Sequence, residues 1–229
     1  MPELERFEAI IEQDMQSLRA CDPEVTCEGC TETLCVKLVA VADLPTDYGH
    51  FRILGFVNNK DGKDHTIVLK GEIGDGENLL CRIHSSCLTG DALGSRRCDC
   101  GPQLHEALST IEREGRGLLL YQQAEGRGIG LTNKLRAYVL QDMGLDTLEA
   151  NEFLGFLPDE RDYAVPAEML KKIGVKSIRL LTNNPEKVEK LAAHGIRIAE
   201  RVSLQSSTHV DNERYLKTKR ERFGHWLHF

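Results

Sequence analysis

The stretch Gly117-Leu118-Leu119-Leu120-Tyr121, followed by Glu125-Gly126-Arg127-Gly128-Ile129-Gly130 and then by residues 131–143, decides the fold. Consecutive rather than alternating apolar residues mark a strand covered on both faces. The glycine-rich segment turns the chain. The residues after it read as a helix that stops at Gly144. Strand, tight turn and helix in that order are the unit of an α/β architecture. Just upstream, Pro102 marks a helix start, and Leu104, Ala107, Leu108 and Ile111 give its apolar face; Gly115 and Gly117 end it. Downstream come a short helix near 166–173, the strand Ser177–Leu181, a helix capped by Asn184-Pro185 that ends near Gly195, and a last strand over Ile196–Val202. The final 25 residues are polar and read as a helical tail.

The first half reads differently. Strand-like stretches fall at 35–42, 51–57, 66–70 and 79–84, with Asp61-Gly62 and Asp75-Gly76 as turns between strands. Residues 3–20 form an amphipathic helix, with Leu4, Phe7, Ile10, Ile11, Met15 and Leu18 near a 3.6-residue period. Residues 21–34 read as a polar, cysteine-rich loop. The expectation is an α/β protein with a mixed sheet, β-rich in its N-terminal half and then alternating strands and helices. It carries a short helical extension over 1–34 ahead of a main domain over 35–229.

A chain of 229 residues buries a sizeable core without staples, and 41% hydrophobic with 28% charged residues is ordinary for a soluble protein. No apolar run approaches the roughly 20 residues that span a bilayer. The N-terminal Met-Pro-Glu-Leu-Glu-Arg has no apolar signal region, so the expectation is a cytoplasmic protein with no membrane partner. The net charge of −7 argues against a nucleic-acid partner. Lys217-Thr218-Lys219-Arg220-Glu221-Arg222 is the one basic cluster, and it reads as a solvated helix face. A small anionic substrate remains compatible, because a few local Arg and Lys residues outweigh the global charge.

Eight cysteines in a cytosolic chain point to metal or catalysis rather than disulfides. Cys21, Cys27, Cys30 and Cys35 lie near the N-terminus and could hold a second metal or act as small hydrophobes. In the middle, Cys87-x10-Cys98-Asp99-Cys100 offers three thiolates, which leave a fourth position on zinc for water. His84 or Cys81 as a fourth ligand would make the site structural instead. Unmetallated buried cysteines are the third reading that the spacing allows.

The run Arg82-Ile83-His84-Ser85-Ser86-Cys87-Leu88-Thr89-Gly90-Asp91-Ala92-Leu93, continuing to Ser95-Arg96-Arg97-Cys98-Asp99-Cys100-Gly101, closely resembles GTP cyclohydrolase II. The resemblance continues through Glu125-Gly126-Arg127, Asn133 to Tyr138, Asp146-Thr147, Asp159-Glu160-Arg161-Asp162 and Leu181 to Pro185, and covers about residues 36–225. It implies a zinc held by Cys87, Cys98 and Cys100, with Mg²⁺ accompanying the triphosphate. The implied reaction opens the imidazole ring of GTP at C8 and releases formate and pyrophosphate. A homodimer is implied as well. A fusion to a dihydroxybutanone phosphate synthase would need a longer chain, so the expectation is a monofunctional enzyme.

The resemblance also assigns residues that would otherwise be read blandly. Arg82, Ile83, His84, Ser85, Ser86, Gln103, Glu125, Gly126, Arg127, Thr147, Thr182 and Lys187 would contact substrate. Alone, the glycine segment is a β–α turn, each Arg a surface ion pair and Lys187 a solvated lysine. Tyr138 sits mid-helix beside Leu135 and Val139 and reads as core, but the resemblance places it next to the reacting ring. Asp159 would accept a proton. Arg161 would attack the α-phosphate, an unusual role for a group whose pKa exceeds about 12; stabilising charge on the departing pyrophosphate asks less of it. One departure stands beside the cysteine site: Ser86 replaces the glutamate that the family carries there. That exchange leaves open a divergent paralogue acting on another nucleotide or stopping at a formylated intermediate. A nucleotide-binding regulator without turnover is the alternative of another kind.

Overall fold

In the computed structural model, which describes residues 2–19, 34–204 and 211–227, the Leu118–Leu120 run is the strand it promises to be. Strand β5 (Gly117–Gln122) lies inside a seven-stranded mixed sheet. The other strands are β1 (Val36–Thr46), β2 (Gly49–Asn58), β3 (His65–Lys70), β4 (Leu79–Ser85), β6 (Ser177–Leu181) and β7 (Arg197–Val202). Their spatial order is β1-β2-β3-β5-β4-β6-β7. The pairs from β1 to β5 are antiparallel; β5, β4, β6 and β7 run parallel. β5 is therefore the seam between a meander and an α/β half.

Both faces of the sheet are covered. Leu118 and Leu120 join the larger core with Phe56, Ile67, Ile83 and Met169, while Leu119 joins Leu80, Ala107 and Ile111 on the opposite side. Full burial of each leucine contributes about 2 kcal/mol, which explains why no polar residue interrupts the run. Helix α2 (Cys100–Glu114) covers the smaller core, and α5 (Ala164–Lys172) with α1 (Pro2–Arg19) covers the larger. The remaining helices are α3 (Gly130–Asp142), α4 (Thr147–Phe153), α6 (Pro185–Ala193) and α7 (Glu213–Phe223). Asp61-Gly62 and Asp75-Gly76 turn the chain as expected, with Gly62 and Gly76 at φ of 62° and 81°.

The structure departs from the sequence reading in several places. β1 runs on to Thr46, because an edge strand tolerates Pro45 and the hairpin pairs through to Thr46 opposite Gly49. α2 begins at Cys100, two residues before Pro102, and places the proline inside the first turn. α4 was not foreseen, although Asp146 and Glu149 form a reciprocal capping box at its start. α1 is held on this chain's own β1 by charge as much as by its apolar stripe. Asp14 Oδ2 accepts from Leu38 N at 2.8 Å and its Oδ1 pairs with Lys172 at 3.0 Å. Glu3 pairs with Arg52 at 2.6 Å, and Arg6 donates to the Ile173 carbonyl. Phe7 is fully buried, whereas Leu4 and Met15 are exposed. Leu135 and Val139 of α3 are also exposed, so the side of that helix read as core faces outward. The side chain of Leu18 and all of Cys21, Cys27 and Cys30 lie outside the described residues; Cys35 is half-buried just before β1. Among the described residues no helix is long and apolar enough to cross a membrane.

Candidate active site

Parallel strands β4, β5 and β6 end on the same edge of the sheet, and ligands of open α/β sheets bind outside such carboxyl ends. The segments leaving them, Ser85 to Cys87, Ala124 to Arg127 and Thr182 to Asn184, line one pocket of about 1190 Å³, counting the space open to solvent. Every residue to which the resemblance assigns a substrate, catalytic or zinc-binding role lines it except Ile83. Ile83 is buried in the larger core, and its carbonyl accepts from Lys187 Nζ at 2.8 Å.

At one end of the pocket stand the three thiols. Cys87 ends the run out of β4 and opens a single π-helical turn, Leu88–Ala92; Cys98 precedes α2 and Cys100 is its first residue. Their sulfur atoms lie within 4.8 Å of one another, and Cys87 Sγ is 3.7 Å from Cys98 Sγ. Thiolates at about 2.3 Å from a tetrahedral ion stand about 3.8 Å apart, so the spacing suits a metal without rearrangement. Gly90 makes the cluster feasible, since a Cβ there would come within 2.9 Å of Cys98 Sγ and 3.2 Å of Cys87 Sγ. Among the described residues, neither candidate for a fourth ligand belongs to the cluster. Cys81 belongs to the core on the other face, where burial pushes its thiol up to about 12. His84 Nε2 sits 3.0 Å from Asp91, and burial holds its imidazole below the ordinary histidine range. Asp91 also accepts from Tyr121 Oη at 2.8 Å and from Cys87 N at 3.0 Å, so it braces the loop behind the first cysteine.

Lys134 is the residue that the sequence reading passed over. Its Nζ is 3.0 Å from Cys87 Sγ, 2.9 Å from Thr89 Oγ1 and 2.7 Å from Glu125 Oε1. Bonds from the Cys100 and Cys98 thiols, with Lys134 adding its charge, hold the Cys87 thiol far below its usual range. One turn along the same face, Tyr138 Oη lies 3.3 Å from Thr89 Oγ1, with the Arg97 guanidinium over its ring at 4.5 Å. Lys134 and Tyr138 are four residues apart, and that i, i+4 spacing was the available signal. Glu125 is fixed from both sides, its Oε2 accepting from Leu88 N at 2.7 Å. Ser86 is buried, and its Oγ accepts from Ala124 N at 3.1 Å.

The other end is cationic. Asp159 and Arg161 form a bidentate pair, with Nε to Oδ1 at 2.8 Å and Nη2 bonded to Oδ2. Burial alone would raise the Asp159 carboxyl, yet Arg161 brings it down to about 2. Burial opposes the charge on Arg161, and the negative groups around it still keep it firmly protonated. Arg161 Nη1 reaches Ser85 Oγ at 3.3 Å. Lys187 is buried; that burial, with Arg82 and Arg161 repelling it, pushes its ammonium well below the usual lysine range. Such a lysine gains its charge back when an anion arrives. Arg82 donates to the Leu181 carbonyl at 2.8 Å and to Gln103 Oε1 at 2.6 Å. Arg82 Nε and Arg127 Nη1 are buried donors without partners among the described residues, as an anion-binding pocket requires. Arg127 also holds φ of 59° next to Gly126 at 62°, a left-handed pair that costs strain at a non-glycine residue. Thr182 Oγ1 accepts from Asn184 N at 3.1 Å inside its turn, and Thr147 enters the pocket from the first turn of α4. Tyr215, Lys219, Phe223 and His225 complete the wall from the C-terminal segment. No motif pointed to these four, and the basic cluster was misread in part: Thr218 and Lys219 are buried.

The family model of GTP cyclohydrolase II matches residues 37–203. The riboflavin biosynthesis protein RibBA of Bacillus mycoides (strain KBAB4) is 56% identical over 196 residues, which are 86% of this chain and 49% of that protein. RibBA of Bacillus subtilis (strain 168) is 55% identical over 187 residues, 81% of this chain and 47% of the relative. RibBA of Phocaeicola vulgatus is 54% identical over 198 residues, with 86% and 49% covered. This chain thus spans about half the length of the curated relatives it matches. A crystal structure of RibBX, a two domain 3,4-dihydroxy-2-butanone 4-phosphate synthase from A. baumannii, aligns with 66% of this chain and 35% of its own at 19% identity and a TM-score of 0.34.

Proposed function

This chain belongs to the GTP cyclohydrolase II family, and on that premise we propose that it hydrolyses GTP in riboflavin biosynthesis. The imidazole ring opens at C8, formate and pyrophosphate leave, and 2,5-diamino-6-ribosylamino-4(3H)-pyrimidinone 5′-phosphate remains. The observation that carries the reading is the triad Cys87, Cys98 and Cys100, three thiols within 4.8 Å of one another on the wall of a cationic pocket. Zinc suits an all-thiolate, tetrahedral donor set, and when bound it supplies a nucleophile from water at neutral pH.

The side chains divide the remaining work. Lys134 offsets the negative charge that three thiolates gather, and Glu125 holds that lysine in place. Tyr138, aimed at Thr89 beside Cys87, donates or accepts a proton at the purine. Arg127, Arg161, Lys187 and Arg82 take the triphosphate with its Mg²⁺; Gln103 orients Arg82. His84, Ser85, Ser86, Gly126, Thr147 and Thr182 shape the substrate walls. A guanidinium clamped and kept protonated by Asp159 is a poor nucleophile, so Arg161 acts here by stabilising charge on the leaving pyrophosphate. Asp159, held at about 2, orients Arg161 and is a weak base. The catalytic unit is residues 35–229, cytoplasmic and homodimeric in this reading; the outward apolar side chains of Leu135, Val139 and Met143 support the dimer, and sedimentation velocity tests it.

Incubation with GTP, ATP or UTP in the presence of zinc and Mg²⁺, with formate and pyrophosphate followed separately, tests the activity. Both products from GTP alone are expected. Ser86 favours a second reading, since a buried hydroxyl stands beside Cys87 where the family carries a carboxylate. Another base, or pyrophosphate without formate, would select that divergent reaction; binding without either product would select a regulator.

A further inference from the structure

Lys219 belongs to the basic run that reads as a solvated face, yet only 8% of it is exposed. Its Nζ lies 2.5 Å from Oδ1 of Asp99, which is fully buried between Cys98 and Cys100. The contact continues inward. Asp99 Oδ2 accepts from Gln103 Nε2 at 2.6 Å, Gln103 Oε1 accepts from Arg82 at 2.6 Å, and Arg82 donates to the Leu181 carbonyl at 2.8 Å. One polar chain therefore joins α7, the Cys98–Cys100 turn and the ends of β4 and β6. The C-terminal segment is anchored at further points. Asn183 Nδ2 donates to the Leu204 carbonyl at 2.6 Å, and the Asn183 carbonyl accepts from Trp226 N at 2.9 Å. Arg201 stacks on Trp226 at 5.0 Å, and Arg127 lies over the Phe223 ring at 4.0 Å. All of α7 lies beyond residues 37–203, the part that the family model describes.

Charge favours this contact at the Cys98–Cys100 turn. Three thiolates around a divalent cation leave a net negative charge, and Asp99 adds a second one between two of the ligands. A buried carboxylate without a countercharge is costly and moves or neutralises. Among the described residues, Lys219 pairs with Asp99 directly.

We propose that α7 is a wall of the nucleotide site and that Lys219 is a positioning residue, holding Asp99 and thereby the Cys98–Cys100 turn in the geometry that retains the metal. This rests on the zinc-dependent cyclohydrolase reading. The test uses the full chain loaded with zinc, and measures zinc release to an excess of chromogenic chelator together with kcat and KM for GTP. Lys219→Met is expected to release zinc roughly 10–100-fold faster and to lower kcat with little change in KM. Lys219→Arg, which keeps the charge, should restore slow release. Lys217→Met, which removes a charge from the exposed side of α7, should match wild type. Release from Lys219→Met at the wild-type rate overturns the proposal, as does Lys219→Arg failing as badly as Lys219→Met. If Lys219→Met does not fold, the double variant Lys219→Met/Asp99→Asn removes the stranded carboxylate. It should fold and release zinc quickly; failure to fold, or slow release, overturns the proposal. Wild-type protein that holds zinc but yields no formate from GTP overturns the cyclohydrolase reading and leaves the release comparison to decide on Lys219.

Discussion

Replacing Arg161 by methionine separates the electrostatic work of the Asp159–Arg161 pair from simple packing. In the folded protein Asp159 is held at about 2, against 3.8 for a free aspartate. At roughly 1.4 kcal/mol for each tenfold change, that difference contributes about 2 kcal/mol of stability at neutral pH. The sign follows from the depressed value. The contribution is complete above about pH 5 and disappears as pH falls through 3.8 towards 2, so about half of it remains at pH 3. The variant lacks the pair, and burial of the unpartnered carboxylate now favours its protonated form. The stability gap between wild type and Arg161→Met should therefore narrow by about 1 kcal/mol or more between pH 7 and pH 3. Urea unfolding followed by tryptophan fluorescence at both pH values measures it, and other acid effects cancel in the difference. In parallel, pyrophosphate release should fall about 10²–10³-fold, the usual loss when one donor to developing charge is removed. A gap that stays constant with pH would refute the ion-pair reasoning. Pyrophosphate release at the wild-type rate would take Arg161 out of the chemistry.

Three further outcomes are expected. Cys98→Ser should lose its bound metal and formate release together; metal analysis showing a full complement with normal turnover would remove Cys98 from the ligand set. Ser86→Glu places a carboxylate beside Cys87, and a change of about 10–100-fold in rate or in base preference is expected, read by formate release from GTP against ATP. Asp14→Ala removes a buried hydrogen bond to Leu38 N and the pair with Lys172, so urea unfolding should show a loss of about 1.5–3 kcal/mol with formate release unchanged. An unaltered midpoint would mean that α1 is held by its apolar contacts alone.

The sequence exposed those parts of the fold that follow from local pattern. Leu118 to Leu120 could only be a strand covered on both sides, and Asn184-Pro185 could only open a helix; Asn184 Oδ1 duly caps Glu186 N. The cysteine triad was legible because the spacing matched a family already associated with that chemistry. What stayed hidden depends on distant residues. Lys134 looks like one more helix lysine until α3 brings it against Cys87. Lys219 is 120 residues from Asp99, and no periodicity within Lys217–Arg222 distinguishes the inward Lys219 from the exposed Lys217. α4 was missed because seven residues are too few to display a period, although its cap was written in Asp146 and Glu149. Leu135 and Val139 show the opposite error. Their spacing is that of a buried stripe, but Lys134 and Ala137 are the residues of α3 that turn inward.

Strand β5 joins antiparallel β3 on one side to parallel β4 on the other. Its length therefore works as a ruler for everything that leaves its end. Deleting a single residue from Leu118 to Leu120 would draw Glu125 and Arg127 back by about 3.3 Å. It would also exchange the two faces, sending leucines meant for one core into the other. Any viable change of length in this strand must therefore come in pairs, or be absorbed within the Gln123 to Gly130 loop.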